Sequence, residues 1–199
     1  MKIGIFGGSF NPPHKMHKKI ALDLIKKHYL DKVIFVPTGS KYKYKNNLLS
    51  DKVRLEMLKL MCIDNNDLDV SDYELKDHIV YTYDTLDYFK NKYKDDEIFF
   101  ICGTDNFSYV DKWERGIYVL SNNKFLVIKR NTFDITPLLK KYKDYKDNII
   151  VADIEENEIS STKIREMIYN NKRAEDYLDE SVYSYIRENN LYRRWVYEL

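Results

Sequence analysis

The 199-residue chain is 44% hydrophobic and 33% charged, enough for one compact α/β core and too short for several. Its 33 basic and 32 acidic residues leave a formal net charge of +1, so no whole-molecule field draws it to nucleic acid or to an acidic membrane, and any anion site must be local. Cys62 and Cys102 stand far apart without C-x-x-C spacing, which excludes a disulfide framework and a cysteine-rich zinc site. No apolar run reaches the roughly 18 residues of a membrane span, and the N-terminus turns to Gly, Ser and Pro too early for a signal peptide. The expectation is a cytoplasmic protein of one domain over residues 1–199, with 159–199 as a helical C-terminal part, and with monomer and homo-oligomer both open.

Lys2 to Phe6 reads as a buried strand running out into Gly7-Gly8. After Ser9-Phe10-Asn11-Pro12-Pro13, apolar residues at Ile20, Ala21, Leu24, Ile25 and Tyr29 follow one helix face. Val33 to Val36 is a second strand, stopped by Pro37 and Gly39, and Ser50-Asp51 opens a helix carrying Val53, Leu55, Leu58 and Met61. Between them, residues 40–47 form a polar Lys/Tyr/Asn loop, a candidate lid. Short strand character is expected at Val70 and around Ile79-Val80-Tyr81, and a helix from Asp84 to Tyr93 with Leu86 and Phe89 inward.

Glu97 to Cys102 is the clearest strand, broken at Gly103-Thr104-Asp105 where a further helix can start. Phe125 to Ile128 and Ile149 to Val151 are further buried strands, followed by helices over Thr162 to Tyr169 and Glu180 to Asn189. Strands alternating with helices, without hairpin signals, predict an α/β doubly wound, mostly parallel sheet of about five or six strands with C-terminal helices. Ligands of such folds bind beyond the strands' carboxyl ends, where the loops above lie.

Two segments carry chemistry. In Gly7-Gly8-Ser9-Phe10-Asn11-Pro12-Pro13-His14-Lys15-Met16-His17, the glycines admit backbone N–H groups close to an anion and the helix start adds a partial positive charge. His14 and His17, three apart, can both donate to phosphate oxygens. A zinc reading is weaker, since His28 and His78 lack supporting ligands. Magnesium arriving with a nucleotide fits better, because it tolerates few protein ligands. In Ile159-Ser160-Ser161-Thr162-Lys163-Ile164-Arg165, three hydroxyls at a helix start can cap N–H groups or meet an anion, with Arg165 one turn on.

Gly8-Ser9-Phe10-Asn11-Pro12 followed by His14-x-x-His17, with Ile159-Ser160-Ser161-Thr162-x-x-Arg165, resembles the nucleotidyltransferase superfamily marked by H-x-G-H and I-S-S-T-x-x-R motifs. Tyr81 to Leu86, Gly103-Thr104-Asp105 with Trp113 downstream, and the tail from Tyr177-Leu178 to Asn190-Leu191-Tyr192 are similar to the bacterial nicotinate-nucleotide adenylyltransferases, over essentially the whole chain. The resemblance implies a Rossmann-like fold and adenylyl transfer from ATP to nicotinic acid mononucleotide, giving deamido-NAD and pyrophosphate in NAD biosynthesis. It implies His14, His17 and Arg165 as catalytic residues. It places Gly8, Ser9, Phe10, Gly103, Asp105, Ser161 and Thr162 with those three around ATP, and Lys43, Lys45, Thr82, Trp113 and Arg130 around the mononucleotide. Mg²⁺ would come with ATP, bound to no dedicated protein metal site.

Three departures bear on this. Met16 stands where the motif has glycine and could crowd a backbone approach. The segment after Gly39 lacks the family's P-P-H-K, which leaves the choice between Lys43 and Lys45 open. Glu114 follows Trp113 where many relatives have an aromatic, so the choice between nicotinic acid and nicotinamide mononucleotide stays open. The alternatives are another phosphorylated acceptor such as phosphopantetheine, or a cytidylyl transfer. More remote are a nucleotide-sensing relative without catalysis and a single-strand nucleic-acid module using the 40–47 loop and Arg193-Arg194-Trp195.

Overall fold

β1 (Lys2–Gly8) supplies Ile3 and Ile5 to one face of a sheet and Gly4 to the other. A Cβ at Gly4 would lie 2.4 Å from Leu30 Cδ1 and 2.7 Å from Ile101 Cδ1, so only glycine lets both side chains close over this strand. The computed structural model describes residues 1–41, 48–129, 134–154 and 159–193. Within them β1 is followed by α1 (Lys15–Lys26), β2 (Lys32–Pro37), α2 (Asp51–Cys62), β3 (Leu68–Val70) and α3 (Thr82–Lys92). Then come β4 (Glu97–Gly103), α4 (Thr104–Phe107), α5 (Gly116–Asn122), β5 (Lys124–Ile128), α6 (Thr136–Lys141), β6 (Ile149–Ala152), α7 (Ser161–Tyr169) and α8 (Glu180–Glu188).

All strand pairings are parallel, in the order β3-β2-β1-β4-β5-β6. The chain winds outward from β1 through β2 to β3, then returns to β1's other edge with β4, so the order reverses between β1 and β4. The two faces are covered separately. Leu24 of α1, Met57 and Met61 of α2, Ile164 of α7 and Val182 of α8 pack with Val33, Phe35, Phe99 and Ile101 on one face. Leu86 and Phe89 of α3, Val119 and Leu120 of α5 and Leu138 of α6 pack with Ile3, Ile5, Phe100 and Val127 on the other. The doubly wound parallel sheet expected from the sequence is this six-stranded one.

Three local expectations need correction. Residues 79–81 form no strand: Tyr81 is extended (φ −92°, ψ 162°) as the cap of α3, and the short edge strand is Leu68–Val70. α5 and α6, of seven and six residues, had no periodic signal long enough to read. On α2 the inward face is Arg54, Met57, Leu58, Met61 and Cys62, with Leu55 only half-buried. A charged residue holds the position that apolar counting gave to its neighbour. Leu58→Ala should therefore cost about 2–5 kcal/mol, as for other fully buried leucines, and Leu55→Ala less than about 1 kcal/mol, read from urea midpoints of the two variants.

Candidate functional site

A cleft of about 690 Å³ opens at the carboxyl ends of β1 and β4, the reversal point of the sheet. One wall is the loop from Gly7 to Asn11 with His14 and His17, a second is Gly103, Asp105 and Asn106, and a third runs from Ile159 to Thr162 with Arg165.

His14 caps α1 with an extended backbone (φ −145°, ψ 166°), so the helix's first free N–H groups start beside the cleft. The two imidazoles stack with centroids 3.7 Å apart and planes at 22°, and Phe10 meets the His17 ring edge-on at 5.0 Å. The backbone N–H of His14 donates to His17 Nδ1 at 3.2 Å. With Nδ1 accepting, a neutral His17 carries its proton on Nε2 and is a donor there. Burial pulls His14 down to about 4. His17 is held well below the usual histidine range by burial first and by the His14 charge second. The pair is thus two neutral donors at pH 7, compact enough that protonating both would set like charges face to face.

The second motif does not stand beside the first; it is bonded to it. Ser160 caps α7, its Oγ accepting from Lys163 N–H at 3.2 Å. Ser161 Oγ donates to the Pro12 carbonyl at 2.8 Å, and Arg165 Nη1 to the Asn11 carbonyl at 2.8 Å. Arg165 Nη2 reaches Thr162 Oγ1 at 3.3 Å. The Ser161 hydroxyl, expected toward phosphate, is taken up in this docking. The backbone N–H groups of Ser161 and Thr162, at the first turn of α7, are what that helix end offers an anion.

Two helix N-termini therefore share one cleft. Asn11 completes the joint, its Oδ1 accepting from the buried Tyr192 hydroxyl at 2.7 Å and from Leu49 N–H at 3.4 Å.

Other candidates fall as follows. Gly8, Ser9 and Phe10 line the cleft, but the Phe10 ring is core, 2% exposed and packed on Phe6 and Phe35, so only its backbone can serve a ligand. Met16 is 3% exposed and packs in the same core cluster, while also contributing to the cleft lining. A Cβ at Gly103 would meet nothing within 4 Å, so the strand end opens directly onto the cleft, with Asp105 exposed beside it.

Thr82 and Trp113 do not line this cleft. Thr82 begins α3 and Trp113 packs edge-on to Phe100 at 5.9 Å, both on the opposite face of the sheet, and Glu114 is exposed. Lys43, Lys45, Arg130 and the Arg194-Trp195 end lie outside the described residues. Among the described residues no group of three or more His, Cys, Asp and Glu is placed to hold a metal ion, and no helix is long and apolar enough to cross a membrane.

The sequence reading missed Asn106, a polar neighbour of Asp105 in the cleft, and Arg54, wholly buried behind the Ser9 loop. Arg54 donates to the carbonyls of Ser9 at 2.8 Å, Thr38 at 2.7 Å and Leu49 at 3.0 Å, and pairs with Asp51 at 2.5 Å.

The fold is that of an α/β nucleotide-binding protein, and its cleft sets helix N-termini, backbone N–H groups and neutral imidazoles side by side, the chemistry that suits phosphate. The cytidylyltransferase-like family model matches residues 5–167. A protein of Clostridium acetobutylicum named probable nicotinate-nucleotide adenylyltransferase is 40% identical over 197 residues, covering 96% of this chain and 98% of its own. One of Endomicrobium trichonymphae with the same name is 37% identical, covering 96% and 99%. The solved nicotinic acid mononucleotide adenylyltransferase of Plasmodium falciparum, complexed with NaAD, shares the fold with a TM-score of 0.79 at 20% identity, covering 96% and 97%. The chain belongs to the cytidylyltransferase-like family, alongside its nicotinate-nucleotide adenylyltransferase members.

The buried imidazoles make stability depend on pH. Below pH 6.5 the unfolded chain takes a proton on His14 that the folded chain refuses until about pH 4. Stability is therefore complete above that window and falls as pH falls through it, by about 1.4 kcal/mol per unit, or about 2 kcal/mol from His14 alone at pH 5. Urea midpoints of the unliganded protein at pH 7 and pH 5 test this, and His14→Asn should flatten the difference.

Proposed function

We propose that this chain transfers the adenylyl group of Mg-ATP to nicotinic acid mononucleotide, releasing deamido-NAD and pyrophosphate. The observation that carries the reading is the bonding of the Ile159–Arg165 segment onto the Asn11-Pro12 carbonyls, which brings the free N–H groups of α1 and α7 to one cleft at the sheet's reversal point. A triphosphate spans two such ends, and relatives up to 40% identical carry the acceptor in their name.

The 5′-phosphate oxygen of the mononucleotide attacks the α-phosphorus of ATP in line, the bond from that phosphorus to the α,β-bridging oxygen breaks, the β- and γ-phosphates leave together as pyrophosphate, and no covalent enzyme intermediate is needed. Catalysis then rests on alignment and on donors set where charge grows. His17 Nε2–H, fixed by the His14 N–H···Nδ1 bond, meets the α-phosphate, and His14 stacks behind it. The α7 N-terminus with Thr162 and the second guanidinium arm of Arg165 meets the leaving pyrophosphate. Magnesium enters as part of the Mg-ATP substrate, neutralising phosphate oxygens. Asp105 and Gly103 border the nucleoside side. The acceptor's ring goes to the opposite side of the sheet edge, toward Thr82 and Trp113, where the exposed Glu114 leaves the ring pocket without a fixed carboxylate.

Pyrophosphate release with Mg-ATP and, in parallel, nicotinic acid mononucleotide, nicotinamide mononucleotide and phosphopantetheine tests the assignment. Turnover led by the nicotinic acid form is expected; preference for another acceptor would replace it. His17→Ala should lower kcat by about 10²-fold or more while the fold stays intact by circular dichroism, as for loss of one transition-state donor. Near-normal turnover would remove His17 from the reaction.

A further inference from the structure

Arg54 belongs to no motif, does not line the cleft and is 0% exposed, the largest fully buried side chain among the described residues. Its guanidinium collects three main-chain carbonyls from separate segments: Ser9 in the glycine loop, Thr38 after β2, and Leu49 ahead of α2. Three carbonyl dipoles aimed at one interior point repel one another and would each go unsatisfied without a cation there. Asp51 balances that cation and also holds Ser40, accepting its N–H at 3.0 Å and its hydroxyl at 3.3 Å. Only a planar fork with five donors serves these four partners at once; an ammonium has three donors on a shorter, freely rotating stem.

The consequence for the cleft follows from peptide planarity. The C=O and N–H of one peptide unit point to opposite sides. With the Ser9 carbonyl drawn back to Arg54 at 2.8 Å, the N–H of that peptide, which belongs to Phe10, is turned away from Arg54 and toward the cleft that Ser9 and Phe10 line. Phe10 sits at φ 46°, a left-handed conformation unusual for a bulky residue and costing on the order of 1 kcal/mol or more, so something must hold it. Its ring is locked between Phe6, Phe35 and His17, and its N–H bonds to no group among the described residues.

We infer that Arg54 is a positioning residue for the phosphate site: by pinning the Ser9 carbonyl it presents the Phe10 N–H to a phosphate oxygen, next to His17. This rests on the adenylyl-transfer reading for which phosphate is meant, and on the geometry alone for the presence of an anion donor. Arg54 touches no substrate; it acts through the orientation of one peptide unit, which Asp51 in turn ties to Ser40.

The test uses the full ¹⁵N-labelled chain. In the wild type the Phe10 amide resonance should shift on titration with Mg-pyrophosphate and with Mg-ATP, saturating with binding; no response of that amide overturns the inference whatever the variants do. Arg54→Lys keeps the buried charge and should weaken Mg-ATP and Mg-pyrophosphate binding about tenfold, lower kcat by about 10-fold or more, and abolish the Phe10 response, while amides of α5 and β6 keep their positions. A general loosening would move those distant amides as well. A folded Arg54→Lys protein with the Phe10 response intact and turnover within threefold of wild type also overturns it. Wild-type turnover with nicotinic acid mononucleotide alongside an insensitive Arg54→Lys variant fails the inference alone. No turnover with any acceptor, alongside Arg54-dependent pyrophosphate binding, fails the functional reading and leaves the inference standing.

Discussion

The site depends on what happens to the carbonyl groups of the loop between β1 and α1. That loop has no strand or helix partner of its own, and a buried carbonyl left unpaired costs about as much as a whole interaction elsewhere in the fold. Here the carbonyls of Ser9, Asn11 and Pro12 are each met by a side chain from far along the chain: Arg54, Arg165 and Ser161. Satisfying the carbonyls on one side leaves the other side of the loop to N–H groups and imidazoles. With these acceptors occupied, the cleft presents donors in the arrangement that suits an anion.

This also explains why residues 159–193 cannot be treated as an appendage. α7 and α8 fill the same core as α1 and α2, and the chain beyond α8 returns Tyr192 to Asn11, fully buried. Packing and polar docking act at the same joint. A change that loosens α8 on the core would carry through Tyr192 and Asn11 to the phosphate loop, without touching any residue of the cleft.

The regular part of the fold was legible because buried parallel strands are written as short apolar runs, as in Ile98 to Cys102 or Val33 to Val36, and the switch point follows from their alternation with helices. The two phosphate motifs were legible for a related reason: glycines, a proline stop and closely spaced histidines are punctuation that ordinary helices lack. What stayed hidden was tertiary. Nothing local distinguishes Arg54 from a solvated arginine, because its partners come from three other segments. Met16 looked obstructive by size, and only the tertiary packing shows that most of it is taken up in the core. Thr82 and Trp113 were assigned to the mononucleotide by motif alone, and only the fold shows that α3 and the turn before α5 carry them on the sheet face opposite α1.

The two motifs are informative together for a physical reason. Ser160, Ser161 and Thr162 open a helix as many Ser/Thr triplets do, and a His pair after glycines is compatible with several ligands. Their coupling is different in kind, because Ser161 and Arg165 spend donors on the backbone of the first motif, Arg165 gives its second arm to Thr162 as well, and the N–H groups of the helix N-terminus stay open to the cleft. Each motif is thus partly the other's structural support. Losing one residue of the pair alters its own segment and also the posture of the loop bonded to it, so the effects of paired substitutions across residues 11–12 and 161–165 should be strongly non-additive.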